Sequence, residues 1–106
     1  MHKRHSDKYF RKIVEALNEC DIRLEERPRV EGKTVGGWYR DDIIVIRYRP
    51  QRENMLLTLI HEALHHIYPD LNEFGDVGEG IDLLSRSLLC EFSTDQLKAL
   101  SVYLRR

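Results

Sequence analysis

The segment Asn54–Tyr68, NMLLTLIHEALHHIY, constrains the fold more than any other part of the chain. It contains neither glycine nor proline, and Leu56, Leu59, Ile60, Ala63 and Ile67 recur at the spacing of one helical face. The pattern predicts a helix from about Glu53 or Asn54, either of which can serve as N-cap, to Tyr68. Pro69 then disfavours helical geometry in the residue before it. A helix this apolar is expected inside the fold, so its polar residues need a reason to be there.

The flanking sequence supplies the elements that would surround it. Phe10, Ile13, Val14 and Leu17 form the stripe of an amphipathic first helix, with Ser6 as a candidate N-cap. IRLEE alternates as a short strand that Pro28 ends. KTVGGWYRDDIIVIRYRP is expected to form a hairpin, with Thr34–Tyr39 as one strand, Arg40-Asp41-Asp42 at the turn and Ile43–Ile46 as the other. Gly36 and Gly37 point to a bulge or a close backbone approach, and so to an edge strand. A third helix between Asp76 and Glu91 would bury Ile81, Leu84 and Leu88. Ser93 with Gln96 spells a capping box for a last helix, whose C-terminal arginines suit the helix dipole. The expected class is α+β: a helix, a small sheet with a hairpin, then three helices.

With 106 residues, residues 1–106 are expected to form one domain that buries roughly two thirds of the surface of the unfolded chain. The 42% hydrophobic and 33% charged composition argues against disorder. A net charge of -1 gives no global field for nucleic acid or an anionic membrane, so neither is expected as a partner. Charge is uneven locally. MHKRHSDKYFRK is basic, whereas every ionisable residue from Asp70 to Asp82 is acidic. Cys20 and Cys90 fit no Cys-x-x-Cys pattern and are expected to be reduced and at least partly buried. No early segment has the apolar core of a signal peptide, and no window approaches a membrane span, so the expected location is the cytoplasm.

Within the central helix, His61 and His65 lie four residues apart and therefore one above the other on the same face. Two imidazoles so placed can converge on one Zn2+ at roughly 2.0–2.1 Å. Glu62 lies one residue round from His61, close to the ion but badly aimed to ligate it, which suits a general base. This is the H-E-x-x-H pattern. The wider stretch TLIHEALHHI also resembles the extended pattern of zincin metallopeptidases, with Thr58, Leu59, Ala63, Leu64 and Ile67 in its threonine, uncharged and hydrophobic places. The preceding hairpin looks like the zincin edge-strand arrangement, so the likeness spans about Val35 to Leu88.

A catalytic zinc site keeps three protein ligands. No histidine follows His66, and His66 itself points about 100° away from His65, so the third ligand should be acidic. Asp70, Glu73, Asp76, Glu79 and Asp82 are the candidates. GEGIDLLSRSL resembles the helix of gluzincins that supplies a glutamate ligand, and also that of small phage and bacterial zincins related to ImmA/IrrE-type peptidases. That resemblance implies Glu79 as ligand and Asp82 as partner of His61, with the two exchangeable. Asp76 and Glu79 also fit a capping box.

The implied activity is hydrolysis of a peptide or protein by zinc-activated water with Glu62 as base, the Thr34–Tyr39 edge binding the extended substrate. Tyr39, Tyr48, Tyr68 and His66 are all open as oxyanion partners, and Trp38 reads as packing. The alternative function is a non-catalytic interaction module in which zinc pins one helix to the next. A repressor-cleaving regulator follows from family analogy alone.

Overall fold

The computed structural model describes residues 3–69 and 77–105, with side chains described within 5–69 and 80–105. These residues form an α+β fold of four α-helices and two small sheets. The order is α1 (Lys3–Glu19), β1 (Asp21–Glu25), β2 (Arg29–Val30), β3 (Lys33–Thr34), β4 (Gly37–Arg40) and β5 (Ile43–Arg47), followed by α2 (Arg52–Ile67), α3 (Val77–Glu91) and α4 (Thr94–Ser101). A 3-10 turn, Val102–Leu104, follows α4.

The larger sheet has the order β1-β5-β4, with β5 parallel to β1 and antiparallel to β4. A strand between two neighbours and covered on both faces is expected to be continuously apolar rather than alternating. In β5, Ile44, Val45 and Ile46 are all fully buried. The turn from β4 to β5 has two residues, Asp41 and Asp42, at φ 50° and 62°. Aspartate is one of the few side chains that enters this left-handed region readily, and a two-residue hairpin loop needs it at both positions.

The strand expected over Thr34–Tyr39 is divided. Thr34 pairs with Arg29 in the separate β2–β3 ribbon, and the chain rejoins the main sheet at Gly37, opposite Ile46. The break is held by two backbone bonds, Val35 N–H to the Pro28 carbonyl (2.9 Å) and Arg47 N–H to the Gly36 carbonyl (2.8 Å). The expected edge position is correct, since β4 pairs with β5 alone in its sheet.

Helix boundaries also move. Ser6 lies inside α1 and is buried rather than capping it. α2 starts at Arg52 with Gln51 as N-cap, so Glu53 and Asn54 are within the first turn. It stops where Pro69 requires, with Tyr68 N–H closing on the Leu64 carbonyl. The Ser93–Gln96 capping box is present in both directions, and Gln96 also donates to Asp7 at 2.9 Å, tying α4 to α1. α4 ends at Ser101, leaving Lys98 rather than the terminal arginines in its last turn.

The core is built around α2, which packs against α1, α3, α4, β4 and β5. Leu59, Ile60 and Leu64 of α2 meet Ile13 and Leu17 of α1, Ile44 and Ile46 of β5, and Leu88 of α3 in one buried cluster. Each such side chain contributes about 1.5–3 kcal/mol on burial, so the helix is fixed in rotation as well as in place. Ile81 is also buried, with Leu84 partly so. Cys20 is partly buried, but Cys90 is exposed, contrary to expectation, because it falls on the outer face of α3. Among the described residues no helix is long and apolar enough to cross a membrane.

Candidate metal centre

With α2 locked by its apolar face, its next face is fixed as well, and this face carries His61, Glu62 and His65. One ring nitrogen of each histidine and a carboxylate oxygen of Glu62 all lie within 4.8 Å of one another. The two Nε2 atoms are 3.0 Å apart, with the rings edge to face at a centroid distance of 4.7 Å. Two donors on a tetrahedral zinc sit roughly 3.3 Å apart, so a few tenths of an ångström of ring movement turns this pair into a chelate. The donor set therefore fits the metal that the spacing implies.

His61 uses its other nitrogen differently. Nδ1 lies 3.7 Å from Asp82 Oδ1 on α3, and Asp82 is itself 3.4 Å from Arg86 Nε. A carboxylate on the far nitrogen of a ligating imidazole fixes its orientation and raises its basicity. Burial and the neighbouring His65 hold the His61 imidazole below its ordinary value, while Asp82 opposes them. The neutral ring, which is the form that binds metal, is favoured accordingly.

Glu62 is only 6% exposed, and burial pushes its carboxyl up to about 7. Its carboxylate faces the start of β4. A Cβ placed on Gly37 would meet Thr58 Cγ2 at 2.5 Å and the Val45 carbonyl oxygen at 2.7 Å, with Glu62 Oε2 at 3.6 Å. Only glycine permits this approach of strand to helix, which is the close backbone contact that the Gly36-Gly37 pair suggested. Gly36, Gly37, Leu57, Thr58, His61, Glu62 and Asp82 line an open cleft of about 200 Å³.

The structure thus brings His61, Glu62, His65 and Asp82 together. Glu79 belongs to α3, three residues before Asp82, but its side chain lies outside the described residues. Asp70, Glu73 and Asp76, with the possible Asp76–Glu79 cap, also lie outside them. Compared with known protein families, with curated proteins and with solved structures, the chain matches none.

Of the four side chains open as oxyanion partners, none lines this cleft. Tyr39 and His66 are bonded to each other at 2.8 Å on another side of α2. Tyr68 lies near Lys12, and Tyr48 lines a different hollow beside the end of α4. Trp38 is half-buried opposite Val45, in keeping with a packing role. Sequence reasoning did not anticipate Cys20 and Asp42 beside His66. The three are spread over the residue after α1, a turn and α2, and no local spacing could have linked them.

Proposed function

We propose that the protein is a zinc-dependent metallopeptidase of zincin type, in which His61 and His65 hold the ion and an acidic side chain of α3, Glu79, completes the protein ligands. The observation that carries this reading is a buried carboxyl, Glu62, held beside two imidazole nitrogens 3.0 Å apart, with Glu62 and His61 lining an open cleft. A purely structural zinc site has no use for such a group, which favours hydrolysis over the non-catalytic module.

Bound there, zinc supplies a Lewis acid that polarises a carbonyl and acidifies water. Glu62, poised near neutrality, takes a proton from the attacking water and returns it to the leaving amine. Asp82 orients His61 through Nδ1. β4, the edge strand beginning at the cleft, can pair main chain to main chain with an extended peptide, so the substrate is a peptide or an unfolded segment of a protein. A minimal zincin-like fold, related to small phage and bacterial peptidases of ImmA/IrrE type, is part of the same proposal.

The test is a pair of variants assayed on a quenched-fluorescence peptide library with metal analysis. Glu62→Gln is expected to keep its zinc and lose activity by roughly 10²–10⁴-fold. His65→Ala is expected to lose both the ion at this site and the activity. Zinc retained in a wild-type protein that hydrolyses nothing would favour the interaction module instead.

A further inference from the structure

On the side of α2 away from His61 and His65, a second set of metal-binding side chains converges. Cys20 follows the last turn of α1, and Asp42 sits at φ 62° in the β4–β5 turn. His66 projects from the end of α2. Asp21 N–H donates to the Asp42 carbonyl at 2.8 Å, which brings the residue after Cys20 against the hairpin turn. Cys20 Sγ, a carboxylate oxygen of Asp42 and a ring nitrogen of His66 all lie within 4.8 Å of one another. We propose that Cys20, Asp42 and His66 form a second divalent-metal site, for a borderline-soft ion of the zinc class, independent of the H-E-x-x-H centre.

The geometry supports this in three ways. First, His66 Nδ1 and Asp42 Oδ1 are 3.4 Å apart, against roughly 3.3–3.7 Å between donors around a four-coordinate zinc, so side-chain adjustment of about an ångström closes the set. Second, the other nitrogen of His66, Nε2, faces Glu19 Oε1 at 3.8 Å, the carboxylate–imidazole–metal relation that fixes a ligating ring. Third, Tyr39 Oη lies 2.8 Å from His66 Nδ1 and donates to Asp42 Oδ1 at 3.3 Å, so the two ligand atoms converge on one point, which the hydroxyl holds without metal and vacates, with the ring proton on Nε2 facing Glu19, when an ion binds.

Asp42 and Glu19 place negative charge beside Cys20, which favours a cation there, and without metal the thiol carries its proton. A divalent cation replaces that proton, which leaves to solvent as the metal–thiolate bond forms. Asp42 is exposed, so the cluster opens to solvent on that side. Thiolate, imidazole and carboxylate together select zinc or cobalt over calcium or magnesium. An ion here would staple three elements that are far apart in sequence: the end of α1, the hairpin turn and the end of α2.

The experiment is a Co2+ titration of chelator-treated, reduced protein carrying Cys90→Ser, which removes the exposed thiol. Near-ultraviolet sulfur-to-cobalt charge-transfer absorption reports the second site alone, because the H-E-x-x-H centre contains no sulfur. The band is expected in Cys90→Ser, lost in Cys20→Ser/Cys90→Ser, and retained when His65→Ala is added to Cys90→Ser. Asp42→Asn, which keeps a side chain suited to positive φ, is expected to weaken Co2+ binding by roughly tenfold or more. Absence of the band in Cys90→Ser, or its survival at unchanged affinity in Asp42→Asn, overturns the proposal. Neither result bears on peptide hydrolysis, so the two sites stand or fall separately.

Discussion

Glu62 shows most directly how one residue can work against the stability of its own fold. Its carboxyl is pushed up to about 7 from an ordinary value of 4.5 by burial, so the folded chain holds this proton more tightly than the unfolded chain does. Between those two values the folded state binds more protons, and stability therefore falls as pH rises through the window. A shift of this size corresponds to about 3 kcal/mol, fully lost above pH 7. The depressed His61 imidazole has the opposite sign, costing stability below its ordinary value of 6.5. Comparison of wild type with Glu62→Gln isolates the carboxyl. In chelator, the variant should gain stability relative to wild type as pH is raised from about 4.5 to 7.5, read by denaturant unfolding at each pH. A constant difference across the range would remove burial as the cause. Much at this scale is legible in the sequence, because His61 and His65 are related by one turn of a single helix, a local rule. The partner of His61 follows no such local rule: Asp82 is expected only from the likeness of GEGIDLLSRSL to the gluzincin helix, and it reaches His61 through the docking of α3 on α2.

At the scale of elements, the contact between β4 and α2 shapes the cleft, and Gly37 is what allows it. Gly37→Ala forces a Cβ against the Val45 backbone and Thr58, so either the edge strand or the helix must move. A loss of about 1–3 kcal/mol is expected, measured by thermal or denaturant unfolding. On the proposed function, a larger proportional loss of peptide hydrolysis is expected, because the displaced atoms adjoin Glu62. Thr58→Ser together with Gly37→Ala should recover part of the stability, since it removes Cγ2. The glycine pair gives this contact away in the sequence, but the division of Thr34–Tyr39 into two strands is hidden. A two-residue ribbon closed by Glu31 and Gly32, both at positive φ, leaves almost no periodicity to read. The parallel pairing of β1 with β5 is equally silent, because alternation says nothing about which strand lies beside which.

Taken whole, the molecule is organised around α2. Leu59 is fully buried in the cluster that joins four helices to the sheet, and Leu59→Ala should cost about 2–5 kcal/mol in unfolding free energy. If the proposed centre holds zinc, added metal should recover part of this loss, growing with the logarithm of its excess over Kd and seen as a transition temperature that climbs with added metal. The general architecture follows from the apolar stripes of α1, α2 and α3, which is why the class was readable without any tertiary information. His65 and His66 are neighbours in the chain, yet they serve different flanks of this central rod, one beside His61 and the other beside Tyr39 and Asp42. Adding or deleting a single position upstream in α2 would turn both by about 100° and disengage them in the same stroke. Over Thr58–His66, then, the length of the word is as fixed as its key letters.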